Sequence, residues 1–184
     1  MNHRGTLIIQ TDRLVLRPFK MDDIMDVYKN YGSDTNITQY ISWIPCDTME
    51  KCENFIKFNL KEYESNPKFY SWVITLDDII TGSIAIFNVN DDNDSGELGY
   101  SLGSKWWNNG YITEAGNAVI DYAFNMIDFN RIYASCHEEN IGSKKVMEKL
   151  SMTYEGLLRD GQRNLDNTYS NLLLYAILKK DYKK

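Results

Sequence analysis

The sequence predicts one α/β or α+β domain with a mixed central sheet of about six to seven strands flanked by about four helices. Two observations indicate this class. Short runs with the two-residue alternation of strands interleave with longer segments whose apolar residues recur at the three- and four-residue spacing of helices. In addition, 184 residues without a repeat or linker suffice for one sizeable core. We therefore assign residues 1–184 to a single domain.

The first half of the chain is predicted to begin with strand, to continue with helix and to return to strand. The predicted elements are an opening strand region around Leu14 and Leu16, a helix over 21–31, an irregular aromatic stretch over 34–47, a helix over 48–63, and strands over 69–76 and 79–89.

The second half is predicted to alternate strands and helices. Its elements are a strand over 97–102, a tight loop over 105–110, a helix from Ile112 to about Ile127 with Met126 on its apolar stripe, a strand over 131–136, a helix over 140–150, and strands over 152–158 and 168–178. Asp160 is placed in the loop that follows the first of these last two strands.

The strand, loop and helix of residues 97–127 contain the most informative pattern. Leu98, Tyr100 and Leu102 alternate with smaller or polar residues, and Gly110 stands directly before the helix. The first amides of a helix have no partner within it and carry a partial positive charge, so this loop is a candidate cradle for a pyrophosphate. On spacing alone, an ordinary connection between a strand and a helix is the more common interpretation, because a single glycine before a helix is frequent.

Composition excludes several other classes of function. The formal charge of −6 and the pI near 5.0 argue against general affinity for nucleic acid or anionic membranes. Three cysteines and two histidines provide neither a disulfide framework nor the ligand pattern of a metal site. No apolar run has the length of a membrane span or of a signal-peptide core, so we expect a cytoplasmic protein without a metal.

The motifs GYSL, WWNNGYITEA and NIGSKKVMEKL, with TDRLVLRPF near the start, resemble the GNAT superfamily of N-acetyltransferases, in particular the branch of ribosomal-protein alanine acetyltransferases. The resemblance implies a fold whose two central strands splay apart around acetyl-CoA. It also implies that the loop and helix start bind the pyrophosphate and that the preceding strand pairs with the pantetheine arm. The implied cofactor-binding residues are Leu98, Tyr100, Leu102, Trp107, Asn108, Asn109, Gly110, Tyr111, Ile112, Thr113, Asn140, Ser143 and Lys145.

Amide formation from a thioester requires a proton acceptor for the amine and often a proton donor for the departing thiolate. Glu97, at the start of the strand over 97–102, is the first candidate for the base, and Asp160 is the second. The alternative for Glu97 is a solvated carboxylate at a strand edge. By resemblance, Ser143 is the candidate acid, and Asn140 is suited both to cap its helix and to contact pantetheine.

The chain departs from the family pattern at two places. Ile112 stands where the phosphate loop usually has glycine or alanine, and Met147 stands where many members have a tyrosine that protonates the thiolate. Cys136, near the implied cleft, is predicted to be a small buried residue rather than a nucleophile. Trp106 lines the cleft mouth or packs under the loop.

The acceptor is predicted to be a primary amine, either a protein N-terminus similar to that of a ribosomal protein or a small molecule. Four aromatic residues either form the wall of its site or belong to the core, namely Tyr28, Tyr31, Tyr40 and Trp43. A homodimer is expected from the resemblance. The alternative function is a module that binds acetyl-CoA without turnover.

Overall fold

A computed structural model describes residues 1–40 and 46–182 of the chain. The described residues form eight strands: β1 (Ile9–Gln10), β2 (Leu14–Arg17), β3 (Tyr70–Leu76), β4 (Ile79–Asn90), β5 (Ser95–Leu102), β6 (Arg131–His137), β7 (Thr153–Arg163) and β8 (Tyr169–Leu178). They join into one sheet in the order β1-β2-β3-β4-β5-β6-β8-β7. Every neighbouring pair is antiparallel except β5 and β6, which are parallel.

In the same described residues, four α-helices accompany the sheet: α1 (Ile24–Val27), α2 (Met49–Ser65), α3 (Tyr111–Tyr122) and α4 (Ile141–Lys149). A 3₁₀ turn precedes α1, and wider π turns follow α1 and α3. The predicted fold class is confirmed. The sheet has more strands than expected because the opening region reverses at Thr11, whose amide donates to the Leu14 carbonyl at 2.9 Å, and so forms two short strands.

The helices cover the two faces of the sheet and create two cores. One core contains Val119 of α3 and Met147 of α4, and the other contains Val27 of α1 and Ile56 of α2. Successive strand residues face opposite sides, so β3 contributes Trp72 to the first core and its neighbour Val73 to the second. The central strands are therefore held from both sides, which fixes where their edges lie.

Two local predictions are wrong. Met126 is exposed rather than on the apolar stripe of its helix, because the π turn after α3 directs Phe124 inward in its place, while Ile127 is buried as the stripe predicts. Asp160 lies within β7 rather than in a loop. The strand continues through a bulge at this point, with Asp160 at a φ of 50°, and its amide donates to the Asn171 side chain at 3.0 Å.

No helix in the described part of the chain combines the length and the apolar character that crossing a bilayer requires.

An ion pair with little access to solvent joins β2 to the turn before α1. The Arg17 guanidinium donates to both carboxylate oxygens of Asp23 at 2.8 Å, and Asp23 also accepts from the Lys20 amide at 2.8 Å. Asp23 is buried. Hydrogen bonding to this carboxylate raises the pKa of Arg17 despite the burial that opposes it.

We expect Asp23→Asn to lower the free energy of unfolding by about 3 kcal/mol, because it leaves the Arg17 charge without its partner in a poorly solvated place. Guanidinium chloride unfolding measures this loss. The matched control is Asp22→Asn next to it, which alters an exposed carboxylate and is expected to change stability by less than about 0.5 kcal/mol. Equal effects of the two substitutions would contradict the structural importance of the pair.

Candidate active site

The site is organised around a gap between β5 and β6. These strands pair only at Ser95↔Arg131, Gly96↔Ile132 and Glu97↔Tyr133. Beyond that point β5 continues along β4 as far as Leu102, whereas β6 continues along β8 as far as His137. The two central strands therefore splay apart, as the sequence analysis expects.

The splay leaves one edge of β5 facing the gap. The Gly103 amide donates to the Thr81 carbonyl on the β4 side at 2.9 Å. Because backbone groups alternate between the two edges of a strand, Leu98, Tyr100 and Leu102 direct theirs toward the gap. The Leu102 carbonyl accepts from the Trp107 indole at 2.7 Å. Leu98 and Tyr100 thus present the part of the edge that suits an amide-bearing ligand, while the Leu102 carbonyl is already engaged.

The loop between β5 and α3 presents a row of amides. Asn108 and Gly110 adopt left-handed backbone conformations, with φ of 64° and 80°. The Glu114 amide donates to the Gly110 carbonyl at 3.0 Å and closes the first turn of α3. Within the described chain, the amides of residues 110–113 have no hydrogen-bond partner. Since such amides carry the positive end of the helix dipole, the loop is suited to an anion.

Some side chains around the loop are buried beneath it, and others are exposed beside it. Ile112 is only 7% exposed and packs into the core, so its side chain is accommodated while its amide stays free. Trp106 is buried under the loop, whereas Trp107 is 43% exposed beside it. Of the remaining predicted loop residues, Asn109 donates from its side chain to the carbonyls of both tryptophans, and Tyr111 and Thr113 are half-buried.

Glu97 lies where the two central strands separate. Its carboxylate accepts from the Ser135 hydroxyl on β6 and from the Asn88 side chain on β4, both at 2.9 Å. Asn88 is directed there by a bulge in β4, where its φ is 50°. Burial, followed by the charge of Glu97, raises the pKa of neighbouring Tyr133. Glu97 is therefore held by two hydrogen bonds at the point where β5 and β6 separate.

A contact between two hydroxyl groups joins β5 to α4. The Tyr100 hydroxyl on β5 lies 2.8 Å from the Ser143 Oγ in the first turn of α4. Asn140 caps this helix, as predicted, because its side chain accepts from the Ser143 amide at 3.0 Å. Burial raises the pKa of Tyr100, which keeps the phenol protonated, and it also raises the pKa of the nearby Cys136 thiol. Cys136 is buried, as expected.

Other predicted residues lie around these groups in different ways. Lys145 is exposed on α4. Tyr40 contacts the ring of His137 at the end of β6, with ring centroids 5.2 Å apart. Tyr28 and Tyr31 instead belong to the core beneath α1 and α2, and Trp43 lies outside the described residues. Met147 is fully buried.

Sequence reasoning missed two contributions to the site. It assigned Tyr100 to cofactor binding through its strand, and nothing in the local pattern indicated that its hydroxyl meets Ser143. It also missed Arg13, which donates to the Asn109 carbonyl in the loop at 3.1 Å. Both contacts join segments that are distant in the chain, so no local spacing signals them.

Comparison with known proteins identifies relatives along the whole chain. The profile of the acetyltransferase (GNAT) domain family matches residues 13–153. An uncharacterized N-acetyltransferase of Bacillus licheniformis, p20, is 30% identical over 175 residues, which cover 95% of this chain and 97% of p20.

Solved structures show the same fold. A GNAT-family acetyltransferase from Bacillus anthracis is 28% identical, with a TM-score of 0.81 over 95% of this chain and 99% of that one. The ribosomal-protein-S5-alanine acetyltransferase from Vibrio fischeri is 20% identical, with a TM-score of 0.82 over 97% and 100% of the two chains. The self-immunity acetyltransferase MccE, in complex with acetyl-CoA and AMP, is 19% identical, with a TM-score of 0.83 over 91% and 93%.

These matches confirm the resemblance that the motifs indicated. Because the family profile spans most of the chain and p20 is 30% identical along nearly all of it, the chain belongs to the GNAT family of N-acetyltransferases.

Proposed function

We propose that this protein transfers the acetyl group of acetyl-CoA to a primary amine by direct attack of the amine on the thioester in a ternary complex. The observation that carries the proposal is the gap between β5 and β6, which has a carboxylate on one side and a hydroxyl pair on the other. MccE, which has the same fold, is in complex with acetyl-CoA.

The binding groups fit the two halves of coenzyme A. The free amides of residues 110–113 suit the pyrophosphate, because several donors converge on one anion. The unpaired edge at Leu98 and Tyr100 suits the amide groups of pantetheine, which would extend the sheet as another strand does. Asn140 caps α4 beside Ser143, and the exposed Lys145 further along this helix is proposed to offer a charge for a phosphate.

Glu97 is proposed as the base. The amine arrives mainly as an ammonium ion, and Glu97 accepts its proton directly or through water before the C–N bond forms. The Ser135 and Asn88 side chains hold the carboxylate, so it does not need to be ordered by the substrate. A backbone amide on the β5 edge, at Leu98 or Tyr100, is placed to stabilise the oxyanion that develops on the thioester carbonyl.

Ser143 is proposed as the acid. It donates its proton to the sulfur as the C–S bond breaks and regains one from solvent. Glu97 releases the first amine proton to solvent, and the second proton, which the nitrogen loses as the tetrahedral intermediate collapses, also passes to solvent, directly or through Glu97. The Tyr100 hydroxyl lies 2.8 Å from the Ser143 Oγ, so it would donate a hydrogen bond to that oxygen as negative charge develops on it. The products are an amide, the free thiol of coenzyme A and one net proton released to solvent, so the atoms and protons balance.

The acceptor class rests on the family branch. The Vibrio fischeri structure is that of a ribosomal-protein-S5-alanine acetyltransferase, which favours a protein N-terminus, and a small amine is the other class to be tested. The net charge of −6 favours the approach of a basic acceptor.

Calorimetry with acetyl-CoA, followed by thiol release with a panel of N-terminal peptides and small amines, tests the proposal. Binding with turnover on one acceptor class supports the transferase and selects its substrate. Binding with no turnover on any member of a broad panel supports the alternative of a non-catalytic module. Absence of binding overturns the assignment of the loop.

We expect Glu97→Gln to lower kcat by about 100-fold or more, the usual contribution of a general base. The affinity for acetyl-CoA is expected to stay within about twofold, because Glu97 is assigned to proton transfer rather than to cofactor binding. A pH–rate profile and calorimetry measure the two effects. Glu139→Gln, which changes an exposed carboxylate after β6, is the control. A Glu97→Gln enzyme that retains the acid limb of the wild-type profile would exclude Glu97 as the base.

We expect Ser143→Ala to lower kcat by about 100-fold and Tyr100→Phe by about tenfold. Because the phenol acts through the serine, adding Tyr100→Phe to Ser143→Ala is expected to cause no further loss. A double-mutant cycle of kcat measures this, with thermal unfolding to verify that each variant is folded. Strictly multiplicative losses would show that the two hydroxyl groups act independently.

A further inference from the structure

Arg13, in the turn between β1 and β2, contacts the loop that precedes α3 in two ways. Its Nη1 donates to the Asn109 carbonyl at 3.1 Å, and its guanidinium lies over the Tyr111 ring, 4.6 Å from the centroid. Asn109 and Tyr111 flank Gly110, the residue whose amide begins the row of free donors. Arg13 therefore contacts the loop at the residues on both sides of Gly110.

Glu114 fixes the direction of the Arg13 side chain. The Arg13 Nε and Nη2 both lie 2.7 Å from Oε2 of Glu114, while Oε1 accepts from the Thr11 hydroxyl at 2.6 Å and from the Arg13 amide at 2.9 Å. Burial opposes the charge of Glu114, but these hydrogen bonds outweigh it and lower the pKa of the carboxyl. The Glu114 carboxylate thus ties the turn between β1 and β2 to the first turn of α3.

The contact with Asn109 has a geometric consequence for Gly110. The carbonyl of Asn109 and the amide of Gly110 belong to one planar trans peptide, so they point in opposite directions. When Arg13 holds the carbonyl on its own side, the Gly110 amide must face away from Arg13, toward the side where the other free amides lie. The loop has left-handed residues at 108 and 110, and no other side chain in the described residues bonds to this carbonyl.

We propose that Arg13 is a positioning residue for the pyrophosphate site: through the Asn109 carbonyl, and held by Glu114, it orients the Gly110 amide toward the pyrophosphate of coenzyme A. This inference rests on the proposed function. The Arg13 guanidinium is bound within the protein, because Nε and Nη2 contact the Glu114 carboxylate and Nη1 donates to the Asn109 carbonyl. The alternative role is direct binding of the phosphate by the Arg13 side chain, which is 46% exposed.

Calorimetry with coenzyme A tests the proposal on the full chain. We expect Arg13→Ala to raise the Kd about tenfold, the effect of losing one charge-assisted hydrogen bond. Arg13→Lys is expected to recover only part of this loss, because lysine lacks the planar fork that contacts Glu114 and Asn109 together. Arg159→Ala, which removes an exposed arginine from β7, is the control and is expected to leave the Kd unchanged.

Turnover of S-acetylpantetheine, which lacks the pyrophosphate and the nucleotide, separates this role from general support of the fold. Arg13→Ala is expected to leave kcat/KM for this fragment unchanged while lowering kcat/KM for acetyl-CoA about tenfold. An equal loss of kcat/KM with the two substrates would indicate that Arg13 only supports the fold, and it would overturn the proposal.

Glu114→Gln distinguishes positioning from direct phosphate binding. If Arg13 acts through the loop, freeing it from Glu114 weakens the binding of coenzyme A. If Arg13 binds phosphate itself, removing the competing carboxylate strengthens binding, and that result would overturn the proposal. A wild-type protein that fails to bind coenzyme A would instead reject the proposed function, and this inference with it.

Discussion

The early end of the pairing between β5 and β6 is the constraint on which the rest of the site depends. Only three residue pairs join the two strands before each follows its outer neighbour. A strand edge inside a sheet leaves amides and carbonyls that must be satisfied by something other than the next strand. Pantetheine carries amide groups along an extended chain, so it matches the unpaired edge in both chemistry and shape.

Strand alternation then separates the chemical groups of the site. Glu97 and Tyr100 stand an odd number of positions apart on β5, so their side chains point to opposite faces of the sheet. Glu97 meets Ser135 and Asn88 on one face, while Tyr100 meets Ser143 of α4 on the other. Under the proposed mechanism, the base and the acid would therefore reach the thioester from opposite faces of the sheet.

The parts of this structure that sequence could predict are those that depend on neighbours along the chain. The strand, loop and helix around Gly110 and the Asn140 cap follow from local periodicity and from backbone preferences, and the structure contains both. The hydrogen bond between Tyr100 and Ser143 joins residues 43 apart, and that between Arg13 and Glu114 joins residues 101 apart. No spacing encodes such contacts. Asp160 was misplaced because a bulge lets β7 continue past the residues that end most strands.

A phenol reaches the first turn of α4 although this helix has the buried Met147 and no tyrosine. Many members of the family have tyrosine at the matching position, and a thioether has no proton to donate. Here the phenol comes from β5 and reaches the first turn of α4, where its hydroxyl lies 2.8 Å from the Ser143 Oγ. Burial raises the pKa of Tyr100, so the phenol stays protonated and can donate a hydrogen bond. Under the proposed mechanism Ser143 is the acid, and a hydrogen bond from Tyr100 would stabilise the oxygen left behind when Ser143 loses its proton.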